Sequence, residues 1–259
     1  MAAFTSGQDL GPFLEHVALP PGWRVLHEPV VESTMDLARE AARRGWPDRS
    51  VFVCDFQTAG RGRQGRTWEA PPGRGLLFSV LLRSSDPPLL HTMLASVALC
   101  EAAERLVQAE PSIKWPNDLL IDDRKVAGIL AESYSGPPSD YTVLGCGVNV
   151  NQEAADLAGL GRPATSLRLA AGRPVHRGEL LVICLERFDV WLVVDAAERA
   201  ARLRRAWEDR LWARGRAVRL RDQGRDFTAV IDGLAADGSL VIRLDNGHPL
   251  RLLTGEILL

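Results

Sequence analysis

Apolar side chains recur every three or four residues between residues 33 and 45, a spacing that predicts an amphipathic helix. Ser33 or Thr34 is suited to cap the beginning of this helix, and Gly45 is suited to end it. The thirty or so residues before it show no sustained period, and no element is predicted there. The pattern therefore places the first predicted helix at residues 33–45.

The segments that follow predict a sheet covered by helices. Apolar runs of strand length lie at residues 50–56, 75–82, 112–115, 119–121, 126–132 and 141–150. Longer apolar stretches predict helices at residues 89–110, 178–194 and 196–212. This order of elements implies an α+β fold, in which a mixed β-sheet is backed by helices.

After Trp212 the pattern changes to short alternating runs. These lie at residues 216–221, 227–231, 239–244 and 250–253, and Asn246-Gly247 is a strong signal for a hairpin turn. We therefore expect two domains, residues 1–212 and residues 213–259. The second is expected to be a small SH3-like β-barrel that leans on the first, because a barrel of this size is marginally stable alone.

Composition narrows the classes of function. The formal net charge of −2 gives no general attraction to nucleic acid or to anionic membranes. The longest apolar stretch, residues 180–194, is interrupted by Glu186, Arg187 and Asp189, so no membrane span is expected. Residues 1–6 lack the basic start of a signal peptide. These features predict a cytoplasmic protein.

The cysteines offer no good nucleophile. They are widely spaced, form no C-x-x-C motif and lie in apolar segments, which predicts small buried side chains in a reducing compartment: Cys54, Cys100, Cys146 and Cys184.

Lysine usage singles out two positions. Of 31 basic residues, only Lys114 and Lys125 are lysines. A compact ammonium can approach a single oxygen atom in a way that the planar guanidinium of arginine cannot. Both lysines are therefore candidates for chemistry, although two lysines can also fall close together by chance.

A glycine- and arginine-rich segment lies between two predicted strands. Its sequence is Gln57-Thr-Ala-Gly-Arg-Gly-Arg-Gln-Gly-Arg-Thr-Trp68. Glycine lets the backbone approach a ligand closely, and arginine supplies charge for phosphate or carboxylate. The spacing fits neither a P-loop nor a dinucleotide-binding fingerprint. A nucleic-acid-binding or disordered loop is the alternative. We expect residues 60–73 to be mobile without ligand, because the three arginines would lack partners until an anion binds.

Two further segments could hold a ligand. Lys114-Trp-Pro-Asn-Asp118 precedes Arg124-Lys-Val-Ala-Gly-Ile-Leu130, where a small residue pair leaves room over the sheet. Gly145-Cys-Gly-Val-Asn149 ends a strand with two glycines and an amide that suits an adenine edge. Taken alone, the first could be a polar turn before a hairpin, and the second a strand-end bulge.

Together these motifs resemble the biotin–protein ligases. The resemblance covers Ser33-Thr34, the Gly/Arg segment, Lys114-Trp-Pro-Asn-Asp-Leu, Arg124-Lys-x-Ala-Gly, Gly145-x-Gly-x-Asn149 and the closing Thr254-Gly-Glu-Ile. It implies the class II synthetase-like catalytic fold and an enzyme that uses Mg²⁺ and ATP to activate biotin. The adenylate would then be transferred to a lysine of the biotin carboxyl carrier protein of acetyl-CoA carboxylase.

The resemblance also implies roles for individual residues. Biotin would be held by Ser33, Thr34, Gln57, Arg61, Gly62, Arg63 and Lys125. ATP would be held by Arg66, Trp68 and Asn149. Arg63 and Lys125 would be catalytic, and no residue is expected to bind metal. The chain departs from the family at Met35, where asparagine is frequent, and at Gly73-Arg74-Gly75.

Alternatives remain at this point. A lipoate–protein ligase would share the fold and the reaction logic, but its loop has a different Gly/Arg/Ser pattern. A bifunctional ligase and repressor is disfavoured because few residues precede the first motif, so no DNA binding is expected. A non-enzymatic nucleic-acid- or partner-binding module would leave Lys114-Trp-Pro-Asn-Asp118 unexplained. A homodimer is compatible with the sequence.

Overall fold

The computed structural model describes residues 10–136 and 139–258, so the expectation about a signal peptide falls outside the described part. In that part, helices occupy α1 (Leu10–His16), α2 (Thr34–Arg43), α3 (Pro88–Val107), α4 (Ala154–Leu157), α5 (Leu167–Ala171), α6 (Arg177–Leu192) and α7 (Ala196–Glu208). The strands are β1 (Arg24–Val31), β2 (Ser50–Gln57), β3 (Gly75–Leu82), β4 (Ser112–Lys114), β5 (Asp118–Ile121), β6 (Arg124–Tyr134), β7 (Tyr141–Asn149), β8 (Ala217–Asp222), β9 (Arg225–Leu234), β10 (Leu240–Arg243), β11 (Pro249–Leu252) and β12 (Glu256–Leu258).

The larger sheet is mixed and has the strand order β1-β2-β3-β7-β6-β5-β4. Its first pair, β1 and β2, is parallel, and the other neighbouring pairs are antiparallel. The motifs of β6 and β7 thus meet near the middle of the sheet, beside β3. The predicted α+β class, with a mixed sheet backed by helices, is confirmed.

Helices cover both faces of this sheet. Every residue of β3 is buried, as expected for a central strand with helices above and below it. Its side chains alternate: Phe78 and Val80 join the core beneath α3, whereas Leu81 packs with Met35 and Ala38 of α2 on the opposite face. The long helix α3 lies between the sheet and α6 and α7, which explains why its sequence is apolar nearly all round.

The smaller sheet has five strands in the order β11-β10-β9-β8-β12, all antiparallel. Gly247 has a positive φ of 81°, as the predicted Asn246-Gly247 turn between β10 and β11 requires. The small SH3-like β-domain is therefore confirmed. The division at residues 212 and 213 stays a prediction.

Several elements were not predicted from the sequence. The strand β1 lies at the edge of the sheet and carries Glu28 and Pro29, so it shows neither a clean alternation nor a continuous apolar run. The helices α1, α4 and α5 span at most seven residues. The strand β12 has three residues and pairs with β8, more than thirty residues earlier. Such elements depend on distant partners more than on local pattern.

The cysteine prediction is confirmed in structural terms. All four cysteines are free and buried. Burial raises the pKa of the Cys54 thiol to about 12, so this side chain stays protonated and unreactive.

Candidate active site

One cleft collects most of the residues singled out in the sequence. This main cleft is lined by the Gly/Arg loop (residues 57–68) together with Thr34, Lys125 and Gly147, and its empty space, open solvent included, amounts to about 800 Å³. Two further clefts share lining residues with it. The Asn149 cleft lies between Trp68 and Asn149, and the Glu256 cleft lies beside Lys114 and Glu256.

Glycines form the floor of the main cleft. Gly128 of β6 and Gly147 of β7 are register partners, and the indole ring of Trp68 lies on both of them. A Cβ atom at Gly147 would lie 2.7 Å from Trp68 Cδ2. The sequence predicted that the segments of both glycines leave room for a ligand, but the group that lies on them is the protein's own indole.

Polar groups from α2 and β2 form one end of the main cleft. The Thr34 backbone N–H and hydroxyl donate to Gln57 Oε1 at 2.8 and 3.1 Å, and the Thr34 and Ser79 hydroxyls are 2.8 Å apart. Ser33 is at the N-cap position of α2, but its side chain makes no capping bond. Its hydroxyl is therefore available for a ligand.

The Gly/Arg loop folds into a tight hairpin. The Gly62 N–H donates to the Arg66 carbonyl at 2.7 Å, and the Trp68 N–H donates to the Gly60 carbonyl at 3.0 Å. Any Cβ at Gly60 would overlap the Trp68 carbonyl, so this position needs glycine. The loop carries Trp68 back over the sheet as a consequence.

Two arginines of this loop are already paired with carboxylates. The sequence had predicted that they lack partners until an anion binds. Arg61 donates two bonds to the Asp36 carboxylate at 2.8 and 2.9 Å, and Arg66 pairs with Glu256 of β12. Arg63 makes a 3.4 Å bond to the Asn117 side chain. The expectation of unpartnered arginines is thus wrong for Arg61 and Arg66, because sequence spacing cannot show carboxylates that come from α2 and β12.

Two buried lysines share one buried carboxylate. Asp118 Oδ1 accepts a short hydrogen bond from Lys125 Nζ, and Asp118 Oδ2 lies 3.4 Å from Lys114 Nζ. Lys125 Nζ also lies 5.5 Å from the centre of the Trp68 ring. The strand β5 positions Asp118, and β6 positions Lys125 beside it. The two lysines singled out by composition therefore belong to one cluster.

Burial and mutual attraction act in opposite directions on the charged groups of this cluster. Burial opposes ionisation of Asp118, but the attraction of Lys125 and Lys114 outweighs it, and the pKa of Asp118 lies below its usual value. Burial is the largest influence on Lys125 and lowers the pKa of its ammonium, although Asp118 acts in the opposite direction. The cluster carries an excess positive charge, which is suited to an anionic ligand.

Asn149 lies at the Asn149 cleft but is held by the protein. Its side-chain amide donates to the Thr165 carbonyl at 3.0 Å, and its Oδ1 accepts from Gln152 Nε2 at 3.0 Å. Each polar atom keeps one further hydrogen-bonding capacity. A nucleotide would therefore meet an amide whose orientation is already fixed.

Comparison with known proteins decides the family. The model of the biotin/lipoate A/B protein ligase family matches residues 28–149, and that of the biotin protein ligase C-terminal domain matches residues 214–259. The bifunctional ligase/repressor BirA of Bacillus spizizenii is 32% identical over 236 residues, which cover 87% of this chain and 71% of that protein. The chain belongs to the biotin protein ligase family.

Other members of the biotin protein ligase family agree with this assignment. The biotin–[acetyl-CoA-carboxylase] ligase of Mycobacterium tuberculosis is 34% identical over 197 residues, or 69% of this chain and 72% of that protein. The biotin protein ligase of Aquifex aeolicus in complex with biotin and ATP superimposes with a TM-score of 0.77 at 28% identity, and covers 91% of this chain and 97% of that one. The predicted family and enzyme class, a ligase, are confirmed.

Three functional candidates of this biotin protein ligase were not found from the sequence. Asp36 holds Arg61, Glu256 holds Arg66, and Arg162 lines all three clefts. Glu256 lies in the closing motif that carries the family resemblance, so the sequence pointed to this segment. Nothing in the sequence indicated that Glu256 contacts Arg66. Arg162 lies in a turn without a motif, and only the fold brings it to the cleft.

The described residues do not themselves form a metal site. Residues 10–136 and 139–258 contain no cluster of three or more histidine, cysteine or acidic side chains that could hold an ion. The oxygens of Asp118 already accept from two lysines. Likewise, no helix in these ranges is long and apolar enough to cross a membrane.

Proposed function

We propose that this protein uses ATP to activate biotin as biotinyl-5′-adenylate and then transfers biotin to a lysine of an acceptor protein. The observation that carries the proposal is the shared main cleft. It joins the polar Thr34–Gln57 end to the cationic cluster around Lys125, and Arg63 of the loop is among its lining residues. A neutral ring system and a carboxylate–phosphate pair would each find matching surroundings there.

In the first step, a biotin carboxylate oxygen attacks the α-phosphorus of ATP, and the bond to pyrophosphate breaks. Attacking and attacked groups are both negative, so fixed cations lower the barrier. Lys125 and Arg63 are our choices for these cations. Ser33, Thr34, Gln57, Arg61 and Gly62 would hold biotin, and Arg66, Trp68 and Asn149 would hold ATP.

In the second step, the acceptor lysine amine attacks the mixed anhydride and releases AMP. The anhydride must be shielded from water until then. The Gly/Arg loop is placed to provide the shield, because the Arg61–Asp36 and Arg66–Glu256 pairs hold it over the cleft at two points. Neither step needs a protein nucleophile, in keeping with the protonated state of Cys54.

The acceptor protein and the metal ion of the reaction are also part of the proposal. The Mycobacterium tuberculosis relative is named for acetyl-CoA carboxylase, which supports a biotin carboxyl carrier protein as acceptor. Mg²⁺ would enter as part of the Mg-ATP substrate. A homodimer, a cytoplasmic location and the lack of DNA binding stay predictions. The named repressor function of the Bacillus relative is not proposed for this chain.

Calorimetry and an acceptor assay test this function together. Biotin should bind with higher affinity than lipoate, and a biotin carboxyl carrier domain should gain one biotinyl group on a single lysine when ATP and Mg²⁺ are present. The acceptor with that lysine replaced by arginine should remain unmodified. Tighter binding and transfer of lipoate would assign the chain to the lipoate branch of the matched family and contradict the proposal.

A further inference from the structure

Arg162 lies where the three clefts of the active site meet. Its side chain lines the main cleft, the Asn149 cleft and the Glu256 cleft. Under the proposed function, the main cleft would hold biotin and the Asn149 cleft would hold the adenine end of ATP. In the adenylate, the α-phosphate joins biotin to adenosine, so a residue common to these clefts is placed near the reacting phosphorus.

The backbone fixes Arg162 relative to Lys125. The Lys125 N–H donates to the Pro163 carbonyl at 3.0 Å, and the Thr165 N–H donates to the Lys125 carbonyl at 2.9 Å. These two bonds form a parallel bridge between Ala164 and Lys125. Arg162 precedes this bridge directly. The turn that carries it is therefore attached to the first residues of β6 and does not depend on a ligand for its placement.

The Arg162 guanidinium makes no hydrogen bond or ion pair within the part of the chain that the structure describes. In contrast, Arg61, Arg66 and Arg221 each pair with a carboxylate near the site. Burial is the largest influence that lowers the pKa of Lys125, and the positive charge of Arg162 adds to it. The two cations are thus close enough to repel each other, which an anion placed between them would relieve.

The surrounding charges also favour an anion at this point. The Glu256 cleft is lined by five basic residues and two acidic ones: Arg66, Lys114, Lys125, Arg162 and Arg221 with Asp118 and Glu256. Asp118 is engaged by the two lysines, and Glu256 is engaged by Arg66. Arg162 attracts Asp118 and helps to lower the pKa of that carboxyl, but no carboxylate among the lining residues forms an ion pair with Arg162. A polyphosphate has the charge that this cleft lacks.

We infer that Arg162 is a further catalytic residue, which binds the α-phosphate of ATP and the pyrophosphate that leaves it. This inference rests on the proposed function. As the carboxylate oxygen bonds to the α-phosphorus, the bond to the bridging oxygen breaks and its electron pair goes to pyrophosphate. The fork of N–H donors on Arg162 would receive this growing charge, while Lys125 faces the attacking carboxylate.

The test compares Arg162→Gln and Arg162→Lys with a matched control, Arg168→Gln. Arg168 lies six residues further along, pairs with Glu153 at 3.4 Å and lines none of the three clefts. Three quantities are measured: the affinity for Mg-ATP and for adenosine, biotin-dependent pyrophosphate release, and biotin transfer from chemically prepared biotinyl-5′-adenylate.

Arg162→Gln should weaken Mg-ATP binding while leaving adenosine and biotin affinities within about twofold, and should slow pyrophosphate release by about 10²-fold. Transfer from the prepared adenylate should fall far less than pyrophosphate release, because pyrophosphate has already left and only the contact with the α-phosphate is lost. Arg162→Lys should restore part of the rate, since it keeps the charge and loses the fork. Arg168→Gln should match the parent protein.

Two results would overturn the inference. Arg162→Gln could release pyrophosphate as fast as Arg168→Gln, or it could lose adenosine and ATP affinity to the same extent, which would indicate a structural role for the turn. If the parent protein forms no adenylate with biotin, the proposed function fails. The comparison of ATP with adenosine binding would still decide whether Arg162 contacts the polyphosphate.

Discussion

Replacement of Lys125 by methionine removes one buried positive charge and keeps most of the side-chain volume. The Lys125 side chain is 8% exposed, and its ammonium contacts Asp118 inside the main cleft. If this charge stabilises the adenylation transition state, its loss should slow biotin-dependent pyrophosphate release by about 10²–10³-fold, which corresponds to roughly 3 kcal/mol. Lys125→Arg should recover only part of this rate, because a planar guanidinium does not fit a site shaped for an ammonium.

Stability should change less than activity in this variant. Breaking a buried ion pair commonly costs about 3–5 kcal/mol, because a charge is left uncompensated. Here Lys114 Nζ remains 3.4 Å from Asp118, so the free energy of unfolding should fall by less than about 3 kcal/mol. Urea unfolding of both proteins measures this difference directly.

The assay separates the two reaction steps. Pyrophosphate release is measured at saturating ATP and biotin, and transfer is measured with prepared biotinyl-5′-adenylate and acceptor. The first rate should fall far more than the second in Lys125→Met. A parent-like rate of pyrophosphate release in a folded Lys125→Met protein would show that Lys125 serves only as a structural partner of Asp118, and the mechanism would lose its principal cation.

Three further predictions follow from particular contacts. Gly147→Ala should displace the Trp68 indole, because the new Cβ would lie 2.7 and 2.8 Å from its ring atoms, and should weaken ATP binding at least tenfold; unchanged calorimetric affinity would contradict this. Asp36→Asn should free Arg61, speed amide exchange of residues 60–66 and let adenylate escape to label bystander proteins, although an exposed pair contributes only about 0–1 kcal/mol; equal exchange rates in both proteins would count against it. Burial lowers the pKa of His91 to about 4, so the unfolded chain binds this proton more readily and stability should fall as pH drops from about 6.5 to about 4. His91→Leu should remove up to roughly 3 kcal/mol of this acid-induced loss, measured by urea unfolding at each pH; parallel curves for both proteins would refute the assignment.

The local pattern of apolar residues was sufficient to predict the helices and strands that are buried on most sides. The helix predicted at residues 89–110 and the strand predicted at residues 75–82 appear as α3 and β3, because their apolar residues pack on both sides. The helix ends at Val107, where Gln108 takes a left-handed conformation (φ 54°), three residues before the predicted end. Pattern alone did not locate β1, whose position depends on parallel pairing with β2.

The site was predictable as a set of motifs and not as a set of contacts. Sequence brought Lys125, Arg63 and the strand glycines into one hypothesis, and the fold places them around one cleft. It could not show that Trp68 covers Gly147, or that Asp36 and Glu256 hold the loop arginines. These partners lie far apart in the chain, and no local spacing relates them. The roles of the individual residues stay predictions that the variants above test.

Activation of biotin by ATP can be measured alone, as biotin-dependent exchange of labelled pyrophosphate into ATP. The protein is incubated with Mg²⁺, ATP and labelled pyrophosphate, without any acceptor protein, and with biotin, lipoate or neither. We expect exchange with biotin, no exchange above background with lipoate or without an acid, and biotinyl-5′-adenylate retained on the protein. Exchange that requires lipoate, or no exchange with biotin in a folded protein that binds ATP, would contradict it.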